Sequence, residues 1–213
     1  TSISGNAGVL MSDGGSLTAE HRNRIYRDIY DDSMWLINLV ENLLSITRME
    51  GQGVHLHMET ELLEEVIDEA MRHINRRHEH HTIKVNQIGD YILADMDARL
   101  IIQVITNLVD NAVKYTPEGS TIMVNSRQEG ASAVIDVSDN GPGIPDESKE
   151  KIFEMFYTTG HKSADGKRGM GLGLPLCRAI LSAHKGTIEV LDNKPAGSIF
   201  RLTLPAKEVS LHE

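Results

Sequence analysis

Four polar residues recur along one stretch of the chain at helical spacing. Gln103, Asn107, Asn111 and Lys114 follow one another at steps of four, four and three residues, which places them on one face of a helix. Amide oxygens bind hard cations, and a lysine meets phosphate as a point charge. An ordinary solvent-exposed face is the alternative, although Glu is a better helix former there than Asn. The helix alone leaves both interpretations open.

A second candidate is Asp139, which directly follows an apolar segment and precedes a glycine-rich stretch at residues 140–143. Asn-Gly and Pro-Gly are common turn dipeptides, so a tight turn is one interpretation. A ligand site is the other. There the carboxylate accepts a hydrogen bond from a ligand amine, and Gly141 and Gly143 let the ligand lie against bare backbone.

The third candidate is a G-x-G-x-G pattern at Gly169, Gly171 and Gly173, before a predicted helix. Free N–H groups at a helix start favour anions. The spacing differs from the dinucleotide-binding G-x-G-x-x-G pattern, and the chain has no P-loop. Taken in order with the polar stripe and Asp139, the motifs predict a pocket that holds adenine at one end and Mg²⁺-triphosphate at the other.

Mixed helices and strands must position these motifs. Periodicity predicts helices at 62–76, 97–115 and 171–184, and strands at 54–58, 82–86, 91–94, 121–126, 133–138, 187–191 and 199–204. This order indicates a sheet covered on one face by helices, an α/β sandwich.

The N-terminal part has a different pattern. A long helix is predicted over residues 17–50, capped by Thr18, and a shorter one over residues 1–11. The long helix carries a heptad seam, interrupted only by Asp32, that comprises Ile25, Ile29, Asp32, Leu36, Leu39, Leu43 and Ile46. We expect an antiparallel hairpin that dimerises into a four-helix bundle, with domains at 1–52 and 53–213. Packing of the long helix on its own globular domain is the alternative.

Composition excludes several classes of protein. The 213 residues carry a formal charge of −10, which argues against a general nucleic-acid binder. The single cysteine, Cys177, forms no internal disulfide and suits a reducing cytosol. No apolar run approaches the roughly 20 residues of a membrane helix, so we expect the chain not to be membrane-inserted.

Five segments in order resemble the catalytic core of sensor histidine kinases of two-component systems. Residues 103–116 are similar to the N box, 139–145 to the G1 box, 152–157 to the F box and 169–174 to the G2 box, and 197–205 to the closing strand. The resemblance implies an α+β fold: a helical hairpin followed by the ATP-binding sandwich shared with Hsp90 and type II topoisomerases. Residues 176–180 suggest the potassium-responsive branch.

The resemblance also implies roles for individual residues, with ATP and Mg²⁺ as cofactors. Asn111 is expected as the Mg²⁺ ligand, and Asn111 and Lys114 as the catalytic pair. Asp139 is expected to read the adenine amino group, with Tyr115 near the base or ribose. The remaining residues implied in ATP binding are Asn107, Gly141, Gly143, Ile144, Lys162, Arg168, Gly169, Gly171, Leu172, Gly173 and Leu174.

None of the ten histidines lies in the family's H-box pattern. We therefore expect the phosphoacceptor histidine upstream of Thr1, and expect this chain to bind Mg-ATP without phosphorylating itself. The implied function is a homodimeric histidine kinase core that transfers phosphate onward to a response-regulator receiver domain. The expected location is a cytoplasmic module of a membrane-anchored sensor. An ATPase of the topoisomerase or mismatch-repair type and a nucleotide-sensing scaffold without transfer are the alternatives.

Overall fold

The chain forms two compact units, residues 1–45 and 46–213. A computed structural model describes residues 2–13, 15, 17–50, 56–74, 80–158 and 171–207. The predicted boundary at 52/53 lies outside the described residues, so the division into a phosphotransfer and an ATP-binding domain stays a prediction.

Two helices make up the first unit, as predicted. They are α1 (Ser2–Ser12) and α2 (Ala19–Glu50), and α2 continues into the second unit. Thr18 caps α2, because its Oγ1 accepts a hydrogen bond from the His21 N–H at 3.2 Å. Asp13 accepts the Leu17 N–H at 3.0 Å and lies 3.3 Å from Arg22 Nη2. These bonds fix the connection between the helices.

The heptad seam of α2 is only partly covered within one chain. Ile25 is buried, whereas Leu36 and Leu43 are 43% and 38% exposed. Neighbouring apolar side chains of the helix are exposed as well: Met34, Ile37, Val40 and Leu44. The first unit thus presents an apolar stripe on α2 to solvent.

The second unit is an α/β sandwich. Its helices are α3 (Leu63–Ile74), α4 (Ala98–Tyr115), α5 (Asp146–Lys149) and α6 (Gly173–Ala183), with a 3₁₀ turn at Lys151–Phe153. Its strands are β1 (Glu59–Leu62), β2 (Thr82–Ile88), β3 (Leu93–Met96), β4 (Thr121–Glu129), β5 (Ser132–Asp139), β6 (Thr187–Asp192) and β7 (Ser198–Lys207). The predicted α+β class is confirmed.

One seven-stranded sheet forms the base of this unit. Its order is β1-β3-β7-β5-β4-β2, and β6 also pairs with β7. Every pairing is antiparallel except β2 with β4. α4 contacts β4 and β5, and α6 contacts β6 and β7. The core therefore lies between the helices and one face of the sheet, where Ile122, Val124, Ile135 and Leu202 are fully buried.

Two predicted strands are displaced. Of the strand expected at 54–58, residues 54–55 lie outside the described chain and 56–58 have no regular structure. The strand β1 instead follows directly and pairs with β3, with Glu59 opposite Met96. β3 itself lies two residues later than predicted. The register of these short strands is set by pairing across the sheet, which single-strand periodicity does not contain.

No helix within the described ranges combines the length and apolar character needed to cross a bilayer.

Candidate functional site

The polar stripe of α4 contains a buried polar group without a partner. The Nδ2 of Asn107 is buried and has no nitrogen or oxygen acceptor among the described residues; its neighbour is the buried thiol of Cys177, a weak acceptor. Such a donor costs about 1–3 kcal/mol when left unpaired, so its presence needs an explanation. The Oδ1 of Asn107 lies 3.9 Å from the position that a Cβ on Gly173 would occupy. This contact brings the stripe to the start of α6.

Cys177 is part of the packing behind this stripe. Burial raises the pKa of its thiol to about 12, and the Asn107 amide opposes that rise. A thiol held neutral in this way is inert as a nucleophile. It contributes packing to the site rather than chemistry.

Lys114 is a half-buried cation at the end of the stripe. Its Nζ lies 5.1 Å from the centroid of the Tyr115 ring, a distance typical of a cation–π contact. Burial lowers the pKa of Lys114 and raises the pKa of Tyr115. No carboxylate among the described residues forms an ion pair with Lys114. The ammonium group is thus partly dehydrated and open to an anion.

Asp139 is held by one oxygen of its carboxylate. It ends β5 and is 7% exposed. Its Oδ1 accepts the Gly141 N–H at 2.8 Å and the Ser198 N–H at 3.4 Å. Burial raises the pKa of Asp139, and these two backbone hydrogen bonds oppose the rise. Within the described part of the chain nothing donates to Oδ2, which leaves that oxygen as a hydrogen-bond acceptor.

The loop after Asp139 packs tightly against the end of α4. A Cβ on Gly141 would lie 2.6 Å from Cγ2 of Thr116 and 2.9 Å from Oδ1 of Asp139. Thr116 cannot retreat easily, because its Oγ1 donates to the Ala112 carbonyl at 2.7 Å. Only glycine fits this close approach. The predicted base-reading and cation-binding segments therefore meet at the C-terminal end of α4.

The start of α6 lacks a side-chain cap. Leu172 occupies the N-cap position and is 1% exposed, and among the described residues no side-chain cap bonds to the start of the helix. Uncapped N–H groups at a helix start are a ready site for anions. Just before it, the Gly171 carbonyl accepts the Phe156 N–H at 2.8 Å. Residues 156 and 171 are thus adjacent, although they are 15 positions apart along the chain.

Several predicted site residues are not in this cluster. Lys162, Arg168 and Gly169 lie outside the described residues. Leu174 is half-buried in the first turn of α6. Ile144 lines a cleft of about 450 Å³ whose walls are residues 142–145, 192, 193 and 195–197. The polar stripe of α4 does not line this cleft.

Ser198 and Asn193 are two contacts of Asp139 that the sequence did not predict. Ser198 supplies the second N–H to Oδ1, and Asn193 donates to the Asp139 backbone carbonyl. Both lie more than 50 positions after Asp139. Asn193 is in the turn between β6 and β7, and Ser198 is the first residue of β7, which pairs with β5. No local pattern marks such non-local partners.

The donors and acceptors present fit a magnesium nucleotide. Among the described residues, the Asn107 amide oxygen, the Lys114 ammonium without an ion-pair partner and the helix start without a side-chain cap offer ligands and donors for a metal-bound polyphosphate. The Oδ2 of Asp139 offers an acceptor to an amine.

Residues 96–208 match the family model described as histidine kinase-, DNA gyrase B-, and HSP90-like ATPase. This range contains the polar stripe, Asp139 and the start of α6. The chain is 38% identical over 203 residues to the sensor protein KdpD of Clostridium acetobutylicum, and 34% identical over 205 residues to KdpD of Escherichia coli. The alignments include 95% and 96% of this chain but only 23% and 22% of those relatives.

Solved structures share the fold over nearly the whole chain. Full-length ShkA in complex with AMPPNP matches 98% of this chain and 43% of its own, with a TM-score of 0.77 and 22% identity. Histidine kinase ThkA in complex with the response regulator protein TrrA matches 96% and 57%, with a TM-score of 0.71 and 24% identity. The chain therefore belongs to the histidine kinase-, DNA gyrase B- and HSP90-like ATPases, and within them it is a sensor histidine kinase core that resembles the KdpD sensor proteins.

Proposed function

We propose that this chain binds Mg-ATP between α4, the end of β5 and the start of α6, and donates the γ-phosphoryl group to a histidine. The observation that carries the proposal is the Oδ1 of Asn107 beside the start of α6, where no side chain among the described residues caps the helix. An amide oxygen and free helix N–H groups at one place suit a metal-bound polyphosphate. The AMPPNP complex of ShkA supports a nucleotide in this fold.

The base end of the site depends on Asp139. Its Oδ1 accepts hydrogen bonds from two backbone N–H groups. Oδ2 is therefore the oxygen that accepts a hydrogen bond from the adenine amino group. Gly141 lets the loop after Asp139 pack closely against the end of α4, because a side chain there would collide with Thr116. Tyr115 is 37% exposed at the end of α4 and lies beside the base or ribose.

The phosphate end depends on α4 and α6. Asn111 supplies an amide oxygen to Mg²⁺, Asn107 supports the same region, and Lys114 neutralises phosphate charge. The N–H groups at the start of α6, beside Gly173, meet the phosphates. ATP supplies the phosphoryl group that is transferred, and the protein contributes positioning and charge neutralisation, as expected for a loose transition state. The acceptor is a neutral imidazole nitrogen outside these 213 residues.

The helical unit contributes the second half of the reaction. The exposed apolar stripe of α2 supports a homodimer in which two hairpins form a four-helix bundle. The bundle presents the histidine to the ATP-binding unit and then to the aspartate of a receiver domain. The ThkA complex with TrrA supports a response regulator as the partner. In the longer protein, we infer a cytoplasmic module of a membrane-anchored sensor.

Labelling with [γ-³²P]ATP tests this proposal. We expect the 213-residue chain to bind Mg-ATP and to incorporate no label, because none of its histidines lies in an H-box pattern. A form extended by the H-box segment should become labelled at a phosphate that acid removes and alkali preserves. Stable labelling of the 213-residue chain itself, or no labelling of the extended form, would contradict the proposal. ATP hydrolysis stimulated by DNA would favour a topoisomerase-type ATPase instead.

A further inference from the structure

The turn between β6 and β7, residues 193–197, packs against the backbone carbonyl of Asp139. β6 ends at Asp192 and β7 begins at Ser198, and these two residues are paired. The Asn193 N–H donates to the Gly197 carbonyl at 3.0 Å and closes the turn. This hairpin end lies next to the end of β5, because Ser138 pairs with Ile199.

Asn193 directs its side chain out of its own turn to Asp139. Its Nδ2 donates to the backbone carbonyl of Asp139 at 2.7 Å, and Asn193 is half-buried. Asp139 closes the β4–β5 ladder opposite Ile122, and the chain then turns into the Gly141 loop. The Asn193 amide therefore fixes the peptide plane at the point where Asp139 leaves the sheet.

Gly197 makes the closest approach to the same peptide. Its φ is +115°, and a Cβ there would lie 1.9 Å from the Asp139 carbonyl oxygen. No other residue fits such a contact without displacing the strand end. The next residue, Ser198, donates its N–H to Oδ1 of the Asp139 side chain. The turn thus contacts both the backbone and the carboxylate of one residue.

We infer that Asn193 is a positioning residue for Asp139, and that the β6–β7 turn sets selectivity for the 6-amino group of adenine through the Asn193 amide. The inference rests on the proposed function, in which Oδ2 of Asp139 reads that amino group. Asn193 acts on Asp139 through the Asp139 backbone carbonyl. The Asn193 amide donates its hydrogen bond to the protein and not to a base. Loss of the amide frees the Asp139 peptide to rotate and moves Oδ2 away from the base, while the phosphate end of the site stays intact.

Competition binding with Mg-ATP and Mg-ITP isolates this effect, because inosine carries a carbonyl oxygen in place of the adenine amino group. Asn193→Ala should lower ATP affinity about three- to tenfold, the equivalent of one hydrogen bond, and leave ITP affinity unchanged. Asn193→Asp keeps the shape of the side chain but removes the donor. It should lower the ratio of ATP affinity to ITP affinity at least as much as Asn193→Ala does. Circular dichroism and thermal melts confirm folding, and Asn193→Asp serves where the alanine variant does not fold.

Gln128→Ala is the matched control. Gln128 also donates a side-chain amide to a backbone carbonyl near a strand end, that of Gly130 at 3.1 Å, but at the opposite end of the β4–β5 pair. This variant should keep the wild-type ratio of ATP affinity to ITP affinity. A purely structural role for Asn193 would change the melting temperature and both affinities together, and that result would overturn the inference.

Asp139→Asn distinguishes a failure of the positioning role of Asn193 from a failure of the base-reading role of Asp139. If it changes the ATP-to-ITP ratio while Asn193→Ala and Asn193→Asp do not, the positioning role is wrong and the base-reading role of Asp139 stands. If Asp139→Asn also leaves the ratio unchanged, the base-reading part of the proposed function is wrong, and the inference is overturned with it.

Discussion

In the described part of the chain, hydrogen bonds reach only one oxygen of the Asp139 carboxylate, and this asymmetry fixes what any replacement can do. The two N–H groups of Gly141 and Ser198 require an acceptor at the Oδ1 position. An asparagine at 139 must therefore place its oxygen there, and its NH₂ group takes the position of Oδ2. The variant keeps the backbone hydrogen bonds and replaces an acceptor by a donor at one defined point.

We predict that Asp139→Asn weakens Mg-ATP binding about 10- to 100-fold, because two amino groups then face each other and one hydrogen bond is lost. Mg-ITP should bind this variant more tightly than Mg-ATP, since the inosine oxygen accepts from the new NH₂ group. Isothermal titration calorimetry measures both affinities. Equal losses for the two nucleotides would show that Asp139 does not read the 6-position.

The pH dependence of stability has a defined sign at this residue. Burial raises the pKa of folded Asp139 above its ordinary value of 3.8, so the folded protein binds the proton more tightly than the unfolded chain. The tighter proton binding by Asp139 therefore adds to the free energy of unfolding below the unfolded pKa. This contribution is lost as the pH rises through the folded pKa. The free energy of unfolding of Asp139→Asn, relative to wild type, should therefore increase across that range in urea titrations. Parallel pH profiles would contradict this.

The sequence was sufficient to predict Asn107, Asn111, Lys114 and Asp139 as candidates, because helical spacing and a strand end are local patterns. Asn193 could not be predicted in this way. Its importance depends on a hydrogen bond to a residue 54 positions away, and an Asn before Lys-Pro reads only as a turn. The unpaired state of the Asn107 amide likewise requires the packing of α6 on α4.

At the scale of elements, His184 joins α6 to α4. It follows the last turn of α6 and is 2% exposed. Its Nε2 accepts the Asp97 N–H at 3.0 Å, so Nδ1 carries the proton and donates to the Ile180 carbonyl at 2.7 Å. Asp97 is the N-cap residue of α4. The two helices that line the site are thus tied together by one neutral imidazole.

We predict that His184→Ala lowers the free energy of unfolding by about 2–4 kcal/mol, since it leaves a cavity and an unpaired buried N–H at Asp97. Urea unfolding measures the change. His73→Ala on α3, where the side chain is 62% exposed, is the control and should have little effect. Equal stabilities of the two variants would show that the His184 bridge contributes nothing measurable.

Long periodic elements were predicted well, as were the strands β5 and β6, whereas the shortest elements were not. α2 and α4 match their predicted ranges to within a residue or two, because each has enough turns to show its apolar pattern. β1 has four residues, half of them glutamate, and depends on pairing with β3. α5 has a single turn. Elements of this length are determined by tertiary contacts rather than by their own propensity.

At the scale of the whole molecule, the apolar stripe of α2 is the feature that a single chain leaves unexplained. Leu36→Glu together with Leu43→Glu should convert a dimer to a monomer. An unpaired charge in a buried seam costs about 3–5 kcal/mol, which raises the dimer dissociation constant about a hundredfold or more. Analytical ultracentrifugation measures the change, and ATP affinity should be unaffected.

Asn23→Glu is the control for this change, because Asn23 is exposed and lies outside the heptad seam of the same helix. It adds the same charge and should remain dimeric. A double variant that sediments as the wild type does would indicate that α2 is not the dimer interface.

The chain as a whole carries a formal charge of −10, yet among the described residues of the candidate site Lys114 has no ion-pair partner and no side chain caps the start of α6. Calorimetric titration of Mg-ATP into this chain, Asn111→Ala and Asn86→Ala tests whether the nucleotide binds at this site. We predict saturable binding at one site per chain, about tenfold or more weaker in Asn111→Ala and unchanged in Asn86→Ala, whose amide is exposed on β2. No saturable binding to the wild-type chain, or equal affinity of all three proteins, would contradict it.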